Sequence, residues 1–233
     1  MAQHKETINF EKLNEKFERS SPQEILEWAL KTYQSRIGLT SSFGAQSAAL
    51  LHMATQIDPH LPILFIDTGF LFKETYEFVK DLQKRMNLNL KVFRPTETDI
   101  QEIRRRLDNK EPQCCDDAKV AQMKRALEGF DAWIAGLRRN QSATRKDVKI
   151  IEQYGDGLVK VHPVANWASK DVQNYMVTNN LPFHPLWEKG YKSIGCEPCT
   201  RKPTDSADDR SGRWAGQNKT ECGIHTFLEK KDA

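Results

Sequence analysis

The chain has 233 residues with 35 Lys+Arg against 32 Asp+Glu, a formal charge of +3, so no whole-molecule field argues for nucleic acid or a membrane surface as partner. Hydrophobic residues make up 38% and charged residues 29%, the balance of a soluble globular protein. No apolar run approaches the roughly eighteen residues that cross a bilayer, and Met1-Ala2-Gln3-His4-Lys5-Glu6 has no apolar signal core, so the expected compartment is cytoplasmic.

Residues 1–20 read as a polar N-terminal extension in which Ile8, Phe10, Leu13 and Phe17 suggest a short amphipathic helix. Ser21-Pro22-Gln23-Glu24 has the form of a helix start, with a serine N-cap, proline at the first helical position and a glutamate reaching back. Ile25, Leu26, Ala29, Leu30 and Tyr33 follow at helical spacing and predict a docking helix. From Ile37 a short strand runs into the small-residue turn Ser41-Ser42-Phe43-Gly44-Ala45-Gln46, and helical character resumes over 47–56. Pro62-Ile63-Leu64-Phe65-Ile66 is a continuous apolar run closed by Asp67-Thr68-Gly69; a helix over 73–86 and a strand over 90–93 come next. Strands alternating with helices, with buried runs rather than strict alternation, predict a single doubly wound α/β domain with a mostly parallel sheet. Ligands of such sheets bind beyond the carboxyl ends of the strands, where both polar turns fall.

A helix is expected from Thr96 to about Leu107, with Arg104, Arg105 and Arg106 as a solvated face, and another over 116–127. The strand Ala132-Trp133-Ile134-Ala135-Gly136 leads into a segment carrying Arg138, Arg139 and Arg145 among Gln141, Ser142 and Thr144, an anion-binding set at the ligand end of a strand. A strand over 158–161, a helix opening at Ser169 and an irregular apolar segment over 181–187 complete the domain, with His184 read as a structural histidine. The expected organisation is a domain over residues 1–200 and a mobile tail over 201–233, where apolar periodicity disappears.

Five cysteines fall as Cys114-Cys115, Cys196-Glu197-Pro198-Cys199 and Cys222. An odd count in a reducing compartment points to ligation or catalysis rather than a disulfide framework. The C-x-x-C spacing alone suits zinc, an iron–sulfur cluster or redox exchange. Adjacent cysteines diverge on any regular backbone and fit a wide cubane better than one tetrahedral ion, which favours a 4Fe–4S cluster over zinc. Lys119, four residues after Cys115, is placed to offset thiolate charge. Cys222 lies in a polar setting, Glu221-Cys222-Gly223-Ile224-His225, unlike a cysteine kept for packing; it is a candidate nucleophile, with His225 as support for its thiolate.

Taken together, these stretches resemble the assimilatory adenylyl-sulfate reductases and their relatives the phosphoadenylyl-sulfate reductases. The resemblance runs from about Ser41 to Thr226 and includes Gly136-Leu137-Arg138-Arg139 and Gly190-Tyr191-Lys192-Ser193-Ile194-Gly195 ahead of Cys196. It implies an adenine nucleotide alpha hydrolase-like fold, related to the PP-loop ATP pyrophosphatases. It also implies that Cys222 attacks the sulfur of adenylyl sulfate to leave AMP and an S-sulfocysteine. Ser41, Ser42, Phe43 and Gly44 would form a modified phosphate loop, with Asp67, Thr68 and Gly69 beside the nucleotide. Arg138, Arg139 and Arg145, joined by Arg210 and Arg213 from the tail, would meet the phosphosulfate. Cys114, Cys115, Cys196 and Cys199 match the ligands of one 4Fe–4S cluster, and Lys119 the lysine linking its charge to the substrate. With four cysteines so committed, the chain holds none to resolve Cys222, so an external thioredoxin or glutaredoxin is expected.

Substrate choice reads as adenylyl sulfate, with phosphoadenylyl sulfate or dual use as the alternative, because residues 41–46, 70–76 and 184–187 look like the cluster-free relatives. A tRNA sulfur transferase would want the ATP-cleaving loop, which residues 41–46 lack for want of an aspartate. A non-enzymatic iron–sulfur sensor would account for four cysteines and leave Cys222 and the arginines without a role.

Overall fold

The computed structural model describes residues 8–109, 116–155, 157–203, 209–214, 221–225 and 227. Helix α1 (Phe10–Phe17) turns Phe17 into the core, and α2 (Pro22–Tyr33) starts at the expected capping box: Ser21 Oγ accepts from Glu24 N–H, and Glu24 Oε2 accepts from Ser21 N–H at 2.6 Å. These bonds satisfy two amide donors that a helix start leaves open.

The sheet has six strands, β1 (Ile37–Thr40), β2 (Ile63–Ile66), β3 (Leu90–Phe93), β4 (Ala132–Ile134), β5 (Ile151–Gln153) and β6 (Val159–Val161), in the spatial order β3-β2-β1-β4-β6-β5. All neighbours are parallel except β5 and β6. The chain therefore winds outward from β1 to β3, then returns to lay β4 against the other side of β1. That reversal opens a crevice between the carboxyl ends of β1 and β4, the position where α/β sheets of this kind take ligands.

Alternation along the strands feeds two cores. Ile37, Leu39, Ile63, Phe65, Ile134 and Val161 face one side, packed with residues from α2, α3 (Ser47–Ile57), α4 (Lys73–Met86) and, farther along, α7 (Ser169–Thr178). Leu64, Ile66 and Trp133 face the other, against Met123, Ala126 and Leu127 of α6 (Ala121–Leu127). Both faces are covered, which is why β2 is buried at all four positions and reads as an unbroken apolar run. Helix α5 (Glu97–Asp108) buries Ile100 and Ile103 and leaves Arg104 and Arg105 on the solvent side, as expected of that charge run.

One strand is added to the expected set and two expectations change. Strand β5 is an antiparallel edge of only three residues, too short to give a periodic signal of its own. The helix expected from Asp116 begins as a π-helix over Asp116–Val120 before α6 takes over. The apolar segment after Leu181 contains a short helix, α8 (Pro185–Glu188), started by His184 and Pro185. Of the expected mobile tail, 204–208, 215–220, 226 and 228–233 lie outside the described residues, as do Cys114 and Cys115.

His184 is the structural histidine its sequence setting suggests. Nδ1 accepts from Leu186 N–H at 3.1 Å and Nε2 meets Thr75 Oγ1 at 3.0 Å, with the side chain fully buried. An accepting Nδ1 requires the neutral ring. Burial, only partly offset by Glu74, pushes its pKa down to about 4 from the usual 6.5. The unfolded chain therefore binds a proton that the folded one refuses between those values. Stability from this site is full above about pH 6.5 and falls as pH drops toward about 4, by roughly 2 kcal/mol at pH 5. Urea unfolding of wild type and His184→Gln should give a stability gap at pH 7.5 that narrows by about that amount at pH 5, since glutamine does not titrate; an unchanged gap would mean that His184 is not held neutral.

Candidate active site

The crevice at the strand reversal is a cavity of about 260 Å³. One wall is the turn after β1, where Ser41 Oγ accepts from Phe43 N–H at 3.1 Å and Phe43 adopts a positive φ of 49°. That bend sends the Phe43 ring into the core against Phe65 and leaves Ser41, Ser42, Gly44, Ala45 and Gln46 lining the cavity. Helix α3 follows with no side chain capping its first amides, which favours an anion at that end. The opposite wall is Gly136, Leu137 and Arg138 after β4, and Lys192, Ser193, Ile194 and Gly195 close one side.

Positive charge dominates the lining. Lys119, Arg138, Arg145, Lys192, Arg210 and Arg213 face two carboxylates, Asp209 and Glu221. Burial, with Arg145 nearby, pulls the Arg138 pKa down to about 10 although Asp209 opposes it. Burial together with Arg145 and Arg213 does the same to Arg210, also to about 10. Both stay charged at neutral pH; the direction measures how costly these cations are to bury without a full complement of anions. Arg138 is held by Gln46 Oε1 at 2.5 Å and Ser169 Oγ at 3.2 Å, and that hydroxyl donates to Asp209 at 3.0 Å. Arg213 lies against Gly195, where any side chain would collide with the guanidinium, and its buried Nε has no hydrogen-bond partner among the described residues.

The described residues that follow Cys222 lie against the second face of the sheet. Ile224 and Phe227 join the core of the second sheet face, and the His225 ring stacks on Trp133 with centroids 5.6 Å apart and planes 12° off parallel. Lys160 Nζ sits 4.2 Å from the Trp133 ring centroid and donates to the His225 carbonyl at 3.4 Å. Three contacts are too few for a periodic pattern, which is why the sequence gives no sign of them. Glu221 is clasped by Arg145 and Arg210, and Cys222 lines the cavity. Burial alone would raise the Glu221 carboxyl, but Arg145 and Arg210 more than reverse this and hold it below the usual carboxylate range.

His225 does not supply the cationic support expected beside Cys222. Burial first, then the charges of Lys160 and Arg145, hold its pKa well below the imidazole range, so the ring is neutral. Arg210 is instead the cation on which Cys222 acts electrostatically.

Cys196 caps and Cys199 ends a single 3₁₀ turn, Glu197–Cys199, tied to the turn after β2. Glu197 N–H donates to Phe70 C=O at 2.8 Å, and Thr68 Oγ1 lies 3.2 Å from Cys196 Sγ. Cys222 and Trp214 pack against this pair. A small cavity beside the turn is lined by Cys196, Cys199, Ala118 and Lys119, and Lys119 also borders the large crevice. Trp214 Nε1–H is buried here with no acceptor among the described residues. Two buried cysteines outside any disulfide and an unanswered donor fit an anionic, sulfur-rich group; no complete metal-binding set occurs among the described residues.

The structure thus brings Ser41, Ser42, Gly44, Thr68, Lys119, Arg138, Arg145, Arg210, Arg213, Cys222 and His225 around one cavity. Phe43 lies behind it, and so does Asp67, which accepts from Gly69 N–H and Tyr76 O–H. Arg139 does not belong with the set. Its guanidinium points to the opposite surface, bonded to Glu18 at 2.6 Å and to the Val148 carbonyl at 2.7 Å, because the 3₁₀ turn Arg139–Gln141 directs neighbouring side chains apart. Lys192, Ser193, Asp209 and Glu221 were missed as lining residues, although the first two precede the C-x-x-C turn and Glu221 precedes Cys222.

Comparison with known proteins gives a consistent set. Residues 36–202 match the phosphoadenosine phosphosulfate reductase domain. A protein of Halalkalibacterium halodurans named adenosine 5'-phosphosulfate reductase is 35% identical over 224 residues, covering 94% of this chain and 97% of the relative. One of Alkalilimnicola ehrlichii named phosphoadenosine 5'-phosphosulfate reductase is 41% identical over 217 residues, 90% of this chain and 88% of the relative. The crystal structure of phosphoadenylyl-sulfate reductase from Candida auris superimposes with a TM-score of 0.72 at 26% identity, covering 82% of this chain and 97% of the other. The FMN adenylyltransferase of Candida glabrata in complex with ATP shares the fold alone, with a TM-score of 0.58 at 16% identity over 95% of this chain and 78% of the other. Sheet order, crevice and relatives agree: the chain belongs to the phosphoadenosine phosphosulfate reductase domain family.

Proposed function

We propose that the protein reduces adenylyl sulfate to sulfite and AMP, a step of sulfate assimilation, with Cys222 as nucleophile. The observation that carries the reading is a free cysteine on the rim of a crevice lined by buried arginines at the ligand end of the sheet. The Cys222 thiolate attacks the sulfur, the bridging S–O bond breaks, and AMP leaves with the electron pair, giving S-sulfocysteine. Arg145, Arg210 and Arg213 balance the phosphosulfate charge and Arg138 orders the loop at Gln46. A thiolate of external thioredoxin or glutaredoxin then attacks Cys222 Sγ and releases sulfite. The partner's second thiol frees Cys222 and leaves the partner as a disulfide, so two electrons pass in all. Both steps need reduced thiols, which suits a cytoplasmic setting. Residues 1–200 then act as the nucleotide- and cluster-binding domain and 201–233 as a tail that exposes Cys222 to the reductant.

A 4Fe–4S cluster is proposed on Cys114, Cys115, Cys196 and Cys199. The reading is supported by the pairing of buried Cys196 and Cys199 outside any disulfide, the Trp214 donor that has no acceptor among the described residues, and the closeness in sequence of Cys114 and Cys115 to the cavity-lining Ala118 and Lys119. Such a cluster supplies electrostatic and structural support, with Lys119 beside both cavities. Adenylyl sulfate is favoured over phosphoadenylyl sulfate because cluster cysteines accompany its use. The Alkalilimnicola relative's name keeps the 3'-phosphorylated nucleotide as the second reading.

Mixing the purified protein with adenylyl sulfate and no reductant should yield one sulfonate adduct by intact mass, absent in Cys222→Ser; an unmodified wild type would sink the mechanism. Steady-state kcat/KM should favour adenylyl sulfate over phosphoadenylyl sulfate, and the reverse order would reassign the substrate. Anaerobic metal analysis should find iron and acid-labile sulfide in equal amounts without zinc, both lost in Cys196→Ser, whereas zinc alone would rule the cluster out.

A further inference from the structure

Glu221 stands immediately before Cys222, and its carboxylate is the anion held by the crevice arginines in this structure. Arg145 grips it as a fork, Nε to Oε1 and Nη2 to Oε2, both at 2.8 Å. Arg210 Nη2 adds a bond to Oε2 at 3.2 Å and Thr144 Oγ1 one to Oε1 at 3.3 Å. The side chains are nearly sequestered, with Arg145 10%, Arg210 13% and Glu221 15% exposed. An exposed ion pair would contribute little, but this one is withdrawn from water and bidentate, the geometry in which an arginine also takes one edge of a phosphate or sulfate.

We propose that Glu221 is an internal anion that occupies the phosphosulfate position of the arginine pair until substrate displaces it, and that this displacement positions Cys222. The inference rests on the reading of the crevice as a sulfonucleotide site. Arg145 acts on both Arg138 and Arg210, and Arg213 on Arg210, so the group needs counter-charge when no substrate is bound; Asp209 answers Arg138, and Arg145 and Arg210 need another anion. Glu221 supplies it from within the chain. An arriving phosphosulfate brings further negative charge to the same donors, and the three anions repel one another there. Because Cys222 is the next residue, release of the Glu221 carboxylate removes the ion pair that holds the backbone beside the thiol and frees it to move. Glu221 is thus a positioning residue, coupling arrival of the anion to movement of the nucleophile. A carboxylate that merely anchored the tail would instead strengthen binding of every ligand the tail covers.

The two roles give opposite signs in a binding experiment on the full chain carrying Cys222→Ser, which cannot react. Removing the competing charge with Glu221→Gln should tighten adenylyl sulfate about tenfold, the order expected for one charged hydrogen-bond set of about 1.5 kcal/mol. Adenosine, which lacks the anion, should bind within twofold of the parent. Glu221→Asp, which keeps the charge, should retain the weaker affinity. Unchanged or weakened adenylyl-sulfate binding in Glu221→Gln overturns the proposal, as does equal weakening of both ligands, which would mark a tail anchor or a loosened fold. The outcome is independent of the S-sulfocysteine reading: if wild type forms no sulfonate adduct, the proposed reaction fails while this competition is still measured by binding alone.

Discussion

Four guanidinium groups, on Arg138, Arg145, Arg210 and Arg213, meet where β1 and β4 diverge, and two carboxylates only partly balance them. Their mutual repulsion and lost hydration must be offset by something, and the surroundings are arranged to do so. Gln46 and Ser169 orient Arg138, Trp214 lies beneath Arg210 and Arg213, and Glu221 reaches in from the tail. A crevice built this way is pre-set for a polyanion, because its donors are already aimed and already stripped of water. The same charge pattern keeps the thiol of Cys222 in a cationic setting without help from a protonated histidine.

The second constraint is the sheet's second face. Helices α2, α3, α4 and α7 pack against the first face, while α6 packs against the second near β2 and β4. Trp133 is 1% exposed although it points toward that more thinly covered side, and His225, Phe227 and Lys160 close over it. Residues that follow Cys222 in sequence therefore serve as a patch of core.

Most of the scaffold was legible because burial on both faces leaves continuous apolar strands, and because Ser21 and Pro22 mark a helix start in chemistry as well as position. The two polar turns after β1 and β2 were found from the same logic, since ligand ends of parallel strands are fixed by topology. What escaped was set by direction rather than composition. Arg138 and Arg139 are neighbours with the same charge, yet the turn between them sends one into the crevice and the other to Glu18. Likewise Phe43 belongs by sequence to the loop and by its positive φ to the core. His225 carries the right chemistry for assisting a thiolate, and only its stacking on Trp133 beneath Lys160 reveals a ring kept neutral.

The docking of Ile224, His225 and Phe227 on the Trp133 face gives tail opening a thermodynamic character of its own. Lifting these side chains hydrates apolar and aromatic surface, so the opened form has the larger heat capacity. The equilibrium is then curved in temperature, and the apolar part of the closing force weakens on cooling. In the proposed cycle, access of the reductant to the Cys222 sulfur is thereby linked to solvent entropy at the back of the sheet, while the front of the same tail is governed by ions.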